Sequence, residues 1–128
     1  MSPVLRCAVP VVAALLCAGC DVFGLKCTTI ALPAVSVEIR DSTTALPLAD
    51  SSTARVTDGA FTDTLRVCGL TSSLQPLSRC GAWERPGTYA VLVTRAGYQT
   101  WALSGVRVSR DRCHVIPAHL QAALTRTP

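Results

Sequence analysis

From Val35 to Arg40 the chain alternates strictly, Val35-Ser36-Val37-Glu38-Ile39-Arg40, with aliphatic and polar residues taking turns. Side chains of an extended strand point to opposite faces in turn, so this run predicts a half-buried antiparallel strand. The same period returns at Ala54 and Val56, at Tyr89, Val91 and Val93, and at Val106 and Val108. Phe61, Leu65 and Val67 predict one face of a further strand. Asp63 falls on that face too, which requires a bulge or a place beyond the packed region.

Turn chemistry separates these runs. Asp41-Ser42-Thr43-Thr44 carries short polar side chains that bond their own backbone. Asp58-Gly59 is the strongest hairpin signal in the chain, since such a turn wants positive φ. Glu84–Val108 is the organising stretch. Pro86 presets φ for a type II turn in which Gly87 takes the positive φ. Gly97 then breaks the strand, a second apolar run follows, and another strand is expected over Val106–Ser109.

The remaining segments are plainer. Cys27–Ala31 is expected to open as strand and end near Pro33, whereas Leu46–Ser52 reads as loop. Gly69–Gly81 is the least regular part. Cys113–Leu124 starts as strand, with Pro117 confining it to an edge or a bulge because proline donates nothing to a ladder. Residues Thr125–Pro128 are expected to fray. Seven or so short strands with turn signals and no convincing helix predict an all-β sandwich.

The first twenty residues obey other rules. Arg6 is the single charge before an apolar run from Cys7 to Leu16, too short to span a bilayer as a helix. The run ends in Leu16-Cys17-Ala18-Gly19-Cys20. This resembles the bacterial lipoprotein signal, in which small residues precede a cysteine that is lipidated and becomes the mature N-terminus. Cys17 stands where that signal usually has an aliphatic residue. The resemblance implies a signal peptide over 1–19, lipidation of Cys20, and a lipid-anchored tether over 20–26. An ordinary secretory signal or an uncleaved anchor are the alternatives. Asp21–Lys26 spans at most ~20 Å when extended, which keeps the following domain close to its membrane. The expected location is the bacterial cell envelope, facing the periplasm or the exterior.

With 128 residues, the chain has room for one domain over 27–124 and one core. The net charge of +4 comes mostly from arginines scattered singly, with no clustered basic face of the kind that grips nucleic acid. Of seven cysteines, Cys7 and Cys17 leave with the leader and Cys20 takes lipid. Cys27, Cys68, Cys80 and Cys113 remain, an even number in an oxidising compartment. Three pairings are possible. The favoured one is Cys27–Cys113, joining the first and last strands, with Cys68–Cys80 closing a local loop. The spacings contain no C-x-x-C knuckle for zinc.

From Val35 to Leu124 the chain resembles the carboxypeptidase regulatory-like domains of the prealbumin-like (transthyretin-like) sandwich superfamily. The residues that carry the likeness are Val35-Ser36-Val37 before Asp41, Asp58-Gly59-Ala60-Phe61, Pro86-Gly87-Thr88-Tyr89 and Ala96-Gly97-Tyr98. Ala45 stands where the family often carries glycine, and the segment between Cys68 and Cys80 is an insertion. The resemblance implies a seven-stranded Greek-key sandwich serving as an accessory or adhesion-like module. These are turn motifs, which speak to fold rather than activity. The superfamily also holds hydroxyisourate hydrolases, with an N-terminal histidine motif and a Tyr-Arg-Gly-Ser end. This chain ends Thr125-Arg126-Thr127-Pro128 and has no histidine before His114.

Candidate chemistry is sparse. His114 and His119 are the available bases, and neither sits in a nucleophile motif. An enzyme would show a concave pocket with one of them in hydrogen-bond reach of a carboxylate. Asp41, Asp58 and Asp63 stand apart, so no oxygen-rich metal site is expected. Trp83, Tyr98 and Trp101 are candidates for a ligand surface, since aromatic faces stack on sugars and keep a polar edge. The sequence thus predicts a non-catalytic envelope lipoprotein without cofactor or metal, acting as a structural or protein-interaction module. A carbohydrate or cell-wall glycan-binding module is the alternative. Three aromatics on one exposed surface would favour the glycan; aromatics buried between sheets would favour the protein partner.

Overall fold

The computed structural model describes Gly24 and residues 26–128; the leader, Cys20 and most of the tether lie outside the described residues. Eight strands follow in order: β1 (Val35–Asp41), β2 (Thr53–Asp58), β3 (Phe61–Thr64), β4 (Arg66–Leu70), β5 (Pro76–Gly81), β6 (Gly87–Thr94), β7 (Trp101–Val108) and β8 (Ala118–Leu124). They form two four-stranded sheets, ordered β4-β5-β1-β8 and β3-β2-β6-β7. No helix occurs among the described residues.

The alternation places the core. Val35, Val37 and Ile39 of β1 face Val56 of β2 and Tyr89, Val91 and Val93 of β6, and all are buried. Each such aliphatic removed from water stabilises by about 1.5–3 kcal/mol. Val106 and Val108 of β7 and Ala122 and Leu124 of β8 complete the same cluster. Strand β8 runs parallel to β1 over its whole length, Val35 opposite Ala118 through Asp41 opposite Leu124.

Several expected elements come out differently. Residues 27–34 are coil, with bends at Thr29 and Ala34, rather than strand. The strand expected through Phe61, Leu65 and Val67 is split: β3 pairs with β2, whereas β4 pairs with β5 in the other sheet. Leu65 is the crossing point. Its side chain is buried, its N–H bonds Ala54 O at 2.8 Å, and its carbonyl accepts Arg79 Nη1 at 3.1 Å. Crossing sheets breaks the period, which leaves Val67 42% exposed. Asp63 keeps the Phe61 face and is used there, accepting the Ala82 N–H at 2.8 Å.

The segment read as irregular, Gly69–Gly81, is largely the β4–β5 hairpin, interrupted by register shifts on either side of Gly69. The cysteines join as Cys68–Cys80 across this hairpin and as Cys27–Cys113 between two loops. Gly87 does not take positive φ; it is the first residue of β6, opposite Val108. The left-handed residues before β6 are instead Ala82 (φ 53°) and Glu84 (φ 52°). The strand expected over Val106–Ser109 is the second half of β7, and residues 113–117 form a loop before β8. Gly105, at φ 72°, lies where β7 shifts register against β6. The last residues do not fray: Thr127 N bonds Gly97 O at 3.0 Å and Gln99 N bonds Thr125 O at 2.8 Å.

Candidate functional site

The polar groups capable of chemistry gather at two opposite ends of the sandwich. At one end, the loop between β5 and β6 carries Trp83 and Glu84, and the loop between β7 and β8 carries Arg110, Cys113 and His114. The coil from Cys27 to Ala34 runs between them and is bonded covalently to Cys113. A shallow concavity of about 260 Å³ is lined here by residues that include Thr28, Ile30, Glu84, Arg110 and His114.

Glu84 ties three segments together. Its Oε1 accepts the Leu32 N–H at 2.7 Å and lies 2.8 Å from His114 Nδ1, while Oε2 accepts the Val115 N–H at 3.3 Å. The Leu32 N–H, first among these, holds the Glu84 carboxyl below its ordinary range. These bonds over-determine the loop, which is how a non-glycine residue persists at positive φ. His114 Nε2 is in turn 2.9 Å from Thr28 Oγ1.

Thr28, His114 and Glu84 therefore form a hydroxyl–imidazole–carboxylate chain, and the expected mark of an enzyme, a histidine beside a carboxylate in a concavity, is present. In a catalytic relay the carboxylate orients the imidazole and the hydroxyl sits in a strained turn. Here the carboxylate is shared with two backbone amides, and Thr28 lies on exposed coil next to a disulfide. These bonds clasp three segments together. His119 takes no part; it is exposed on β8 opposite Ser36.

The second cluster lies beyond the far end of β6. Asp41 falls on the core face of β1 and is buried. Its carboxylate accepts the N–H groups of Thr43 (2.8 Å) and Thr44 (2.9 Å), the Tyr98 hydroxyl (2.8 Å) and Arg126 Nε (3.2 Å). These bonds, Thr44's first, push the Asp41 carboxyl well below the usual carboxylate range. The Arg95 and Arg126 guanidinium groups stand 5.5 and 5.3 Å from the Tyr98 ring centre.

The three candidate aromatics are thereby separated. Tyr98 and Trp101 sit past the end of β6, half-buried and packed against the core. Trp83 sits before its start and is 50% exposed. Eight strand residues lie between, roughly 26 Å at about 3.3 Å each. Trp83 does line a concavity of about 470 Å³ with Asp63, Thr64, Arg66 and Cys80. Among the described residues no buried side-chain nitrogen or oxygen lacks a hydrogen-bond partner. No group of three or more His, Cys, Asp or Glu among them is placed to hold a metal.

Sequence reasoning missed Glu84, Thr28 and Arg110. Thr28 and Glu84 lie 86 and 30 residues from His114, so no local spacing could pair them. The fold defines an all-β protein of two four-stranded sheets braced by two disulfides. No protein-family model matches the chain, and no curated protein matches it.

Proposed function

We infer that the chain is a non-catalytic envelope lipoprotein whose sandwich is a structural or protein-interaction module, held near the membrane by acyl groups on Cys20. The observation that carries this reading is the engagement of Glu84: both carboxylate oxygens accept backbone N–H groups from other segments, so the His114–Glu84 pair, the one histidine–carboxylate pair among the described residues, braces loops. The leader motif and the cysteine count support an oxidising compartment. Kinship with the carboxypeptidase regulatory-like domains is part of the proposal.

The test is cross-linking in the native host followed by pull-down. A discrete protein partner supports the module. A chain whose mass shows an intact leader overturns the anchor, and hydrolysis of ester substrates that disappears in Thr28→Val overturns the non-catalytic reading. The glycan alternative now rests on Trp83 and its concavity. It requires glycan binding that is lost in Trp83→Ala and kept in Tyr98→Phe.

A further inference from the structure

The end of the sandwich that receives the tether exposes apolar and basic side chains together. Ile30 is 67% exposed, Ile116 54% and Trp83 50%, each on a different loop. Glu84, next to Trp83, bonds the Leu32 and Val115 amides, which brings these three loops to one tip. Lys26, Arg110 and Arg112 are exposed at the same tip, and the Cys27–Cys113 bond sets Lys26 beside Arg112. Two acidic groups lie among them, and each accepts hydrogen bonds while keeping its charge. Asp111 Oδ1 accepts the Cys113 and His114 N–H groups at 2.8 and 2.9 Å, and Glu84 is taken up by the clasp.

We propose that this tip, which exposes Ile30, Trp83 and Ile116 together with Lys26, Arg110 and Arg112, is a membrane-facing surface that docks on anionic lipid headgroups. The proposal rests on the lipid-anchor reading. Chain length commits it to a bilayer rather than a protein. The six residues between Cys20 and Cys27 reach at most ~20 Å, so an acylated Cys20 keeps lipid permanently before this tip. Basic residues near a surface are drawn to anionic headgroups, and tryptophan prefers the interfacial layer. Three apolar side chains alone bind a bilayer weakly. Anchoring makes the contact intramolecular and raises its effective concentration without any new interaction.

The two tryptophans make the test internal. Trp83 lies at the tip, and Trp101 pairs with Val93 at the far end of β6. The acylated full chain is placed in phosphatidylcholine vesicles, with or without phosphatidylglycerol, containing brominated acyl chains that quench nearby indole fluorescence. Trp101→Phe reports Trp83 alone, and Trp83→Phe reports Trp101 alone.

Quenching of Trp83 is expected to exceed that of Trp101 several-fold. It should weaken without phosphatidylglycerol and in Arg110→Glu/Arg112→Glu, while flotation with the vesicles persists. Equal quenching, or stronger quenching of Trp101, in a chain that still floats overturns the docking and leaves the anchor standing. A chain that does not float overturns the anchor and the docking with it. Should Trp101→Phe fail to fold, hydrogen exchange on the unaltered chain decides the matter. Vesicles should slow exchange over 28–31 and 110–116 relative to 95–101, and no difference overturns the proposal.

Discussion

The Tyr98 hydroxyl donates a 2.8 Å hydrogen bond to Oδ2 of Asp41, joining the turn after β6 to the last residue of β1 and so one sheet to the other. A carboxylate on a core face is costly unless its oxygens are satisfied. Asp41 has Tyr98, Arg126 and the backbone of Thr43 and Thr44 for that purpose. The same bond raises the Tyr98 phenol above its ordinary range, because ionising it would forfeit the donor.

Acid should loosen the fold at this point. Asp41, Glu84 and Asp111 all have lowered carboxyl values in the folded chain. The unfolded chain therefore binds more protons once pH falls to the ordinary carboxylate range of about 4, and stability declines from there downward. The urea midpoint, followed by circular dichroism, is expected to drop below about pH 4. Asp41→Asn should lower the midpoint at neutral pH and make the acid decline shallower.

The crossing at Leu65 separates two residues that the alternating pattern treats alike. Leu65→Ala is expected to cost about 2–5 kcal/mol, as for a packed core leucine. Val67→Ala should stay within about 0.5 kcal/mol, as for a surface site. Equal costs in chemical denaturation would contradict the sheet change.

Gly87 matters for space, not for φ. A Cβ there would run into Asp58 Oδ2 and come within 3.1 Å of Arg85 Nη1, groups joined by a 2.8 Å ion pair. Gly87→Ala is expected to displace this partly exposed ion pair and so cost about 0.2–1 kcal/mol. Adding Asp58→Ala should reduce that cost in a double-mutant cycle. Purely additive effects would contradict the clash.

Ala45 occupies positive φ (59°) on the surface after β1. An L residue in that region is strained by about 1–2 kcal/mol, and glycine returns part of the relief through the entropy of its unfolded chain, about 0.4–1 kcal/mol. Ala45→Gly should therefore raise the thermal midpoint slightly. A fall would show that Ala45 is held by contacts that outweigh its strain.

The two disulfides should contribute unequally. On the loop-entropy model, closing the 86-residue separation of Cys27–Cys113 stabilises by about 4–5 kcal/mol and the 12-residue separation of Cys68–Cys80 by about 3 kcal/mol. Denaturation of Cys27→Ser/Cys113→Ser against Cys68→Ser/Cys80→Ser checks the order, and peptide mapping without reductant checks the pairs.

How far the chain could be read in advance depended on locality. The alternation at Val35–Arg40 and Tyr89–Val93 marked buried strand faces because burial follows period two. The β4–β5 hairpin was hidden: register shifts around Gly69 interrupt its pairing, and Val67 is half-exposed. The loop over Leu46–Ser52 looked free, yet Arg79 donates to Ala49 O and Asp50 O, and Arg95 to Leu48 O. Such long-range bonds leave no periodic trace. The aromatic trio fails as one surface for the same reason, since residues on either side of a strand end up a strand's length apart.

The bond between Cys27 and Cys113 also sets how the molecule bears tension. It closes β1 through β7 inside one covalent ring and leaves β8, alone among the described strands, outside it. A force pulling the two ends of the chain apart can unreel only the segment before Cys27 and the stretch after Cys113. The enclosed strands cannot be drawn out until a sulfur–sulfur bond is broken. A reductant would therefore act on extensibility, lengthening the protein under load.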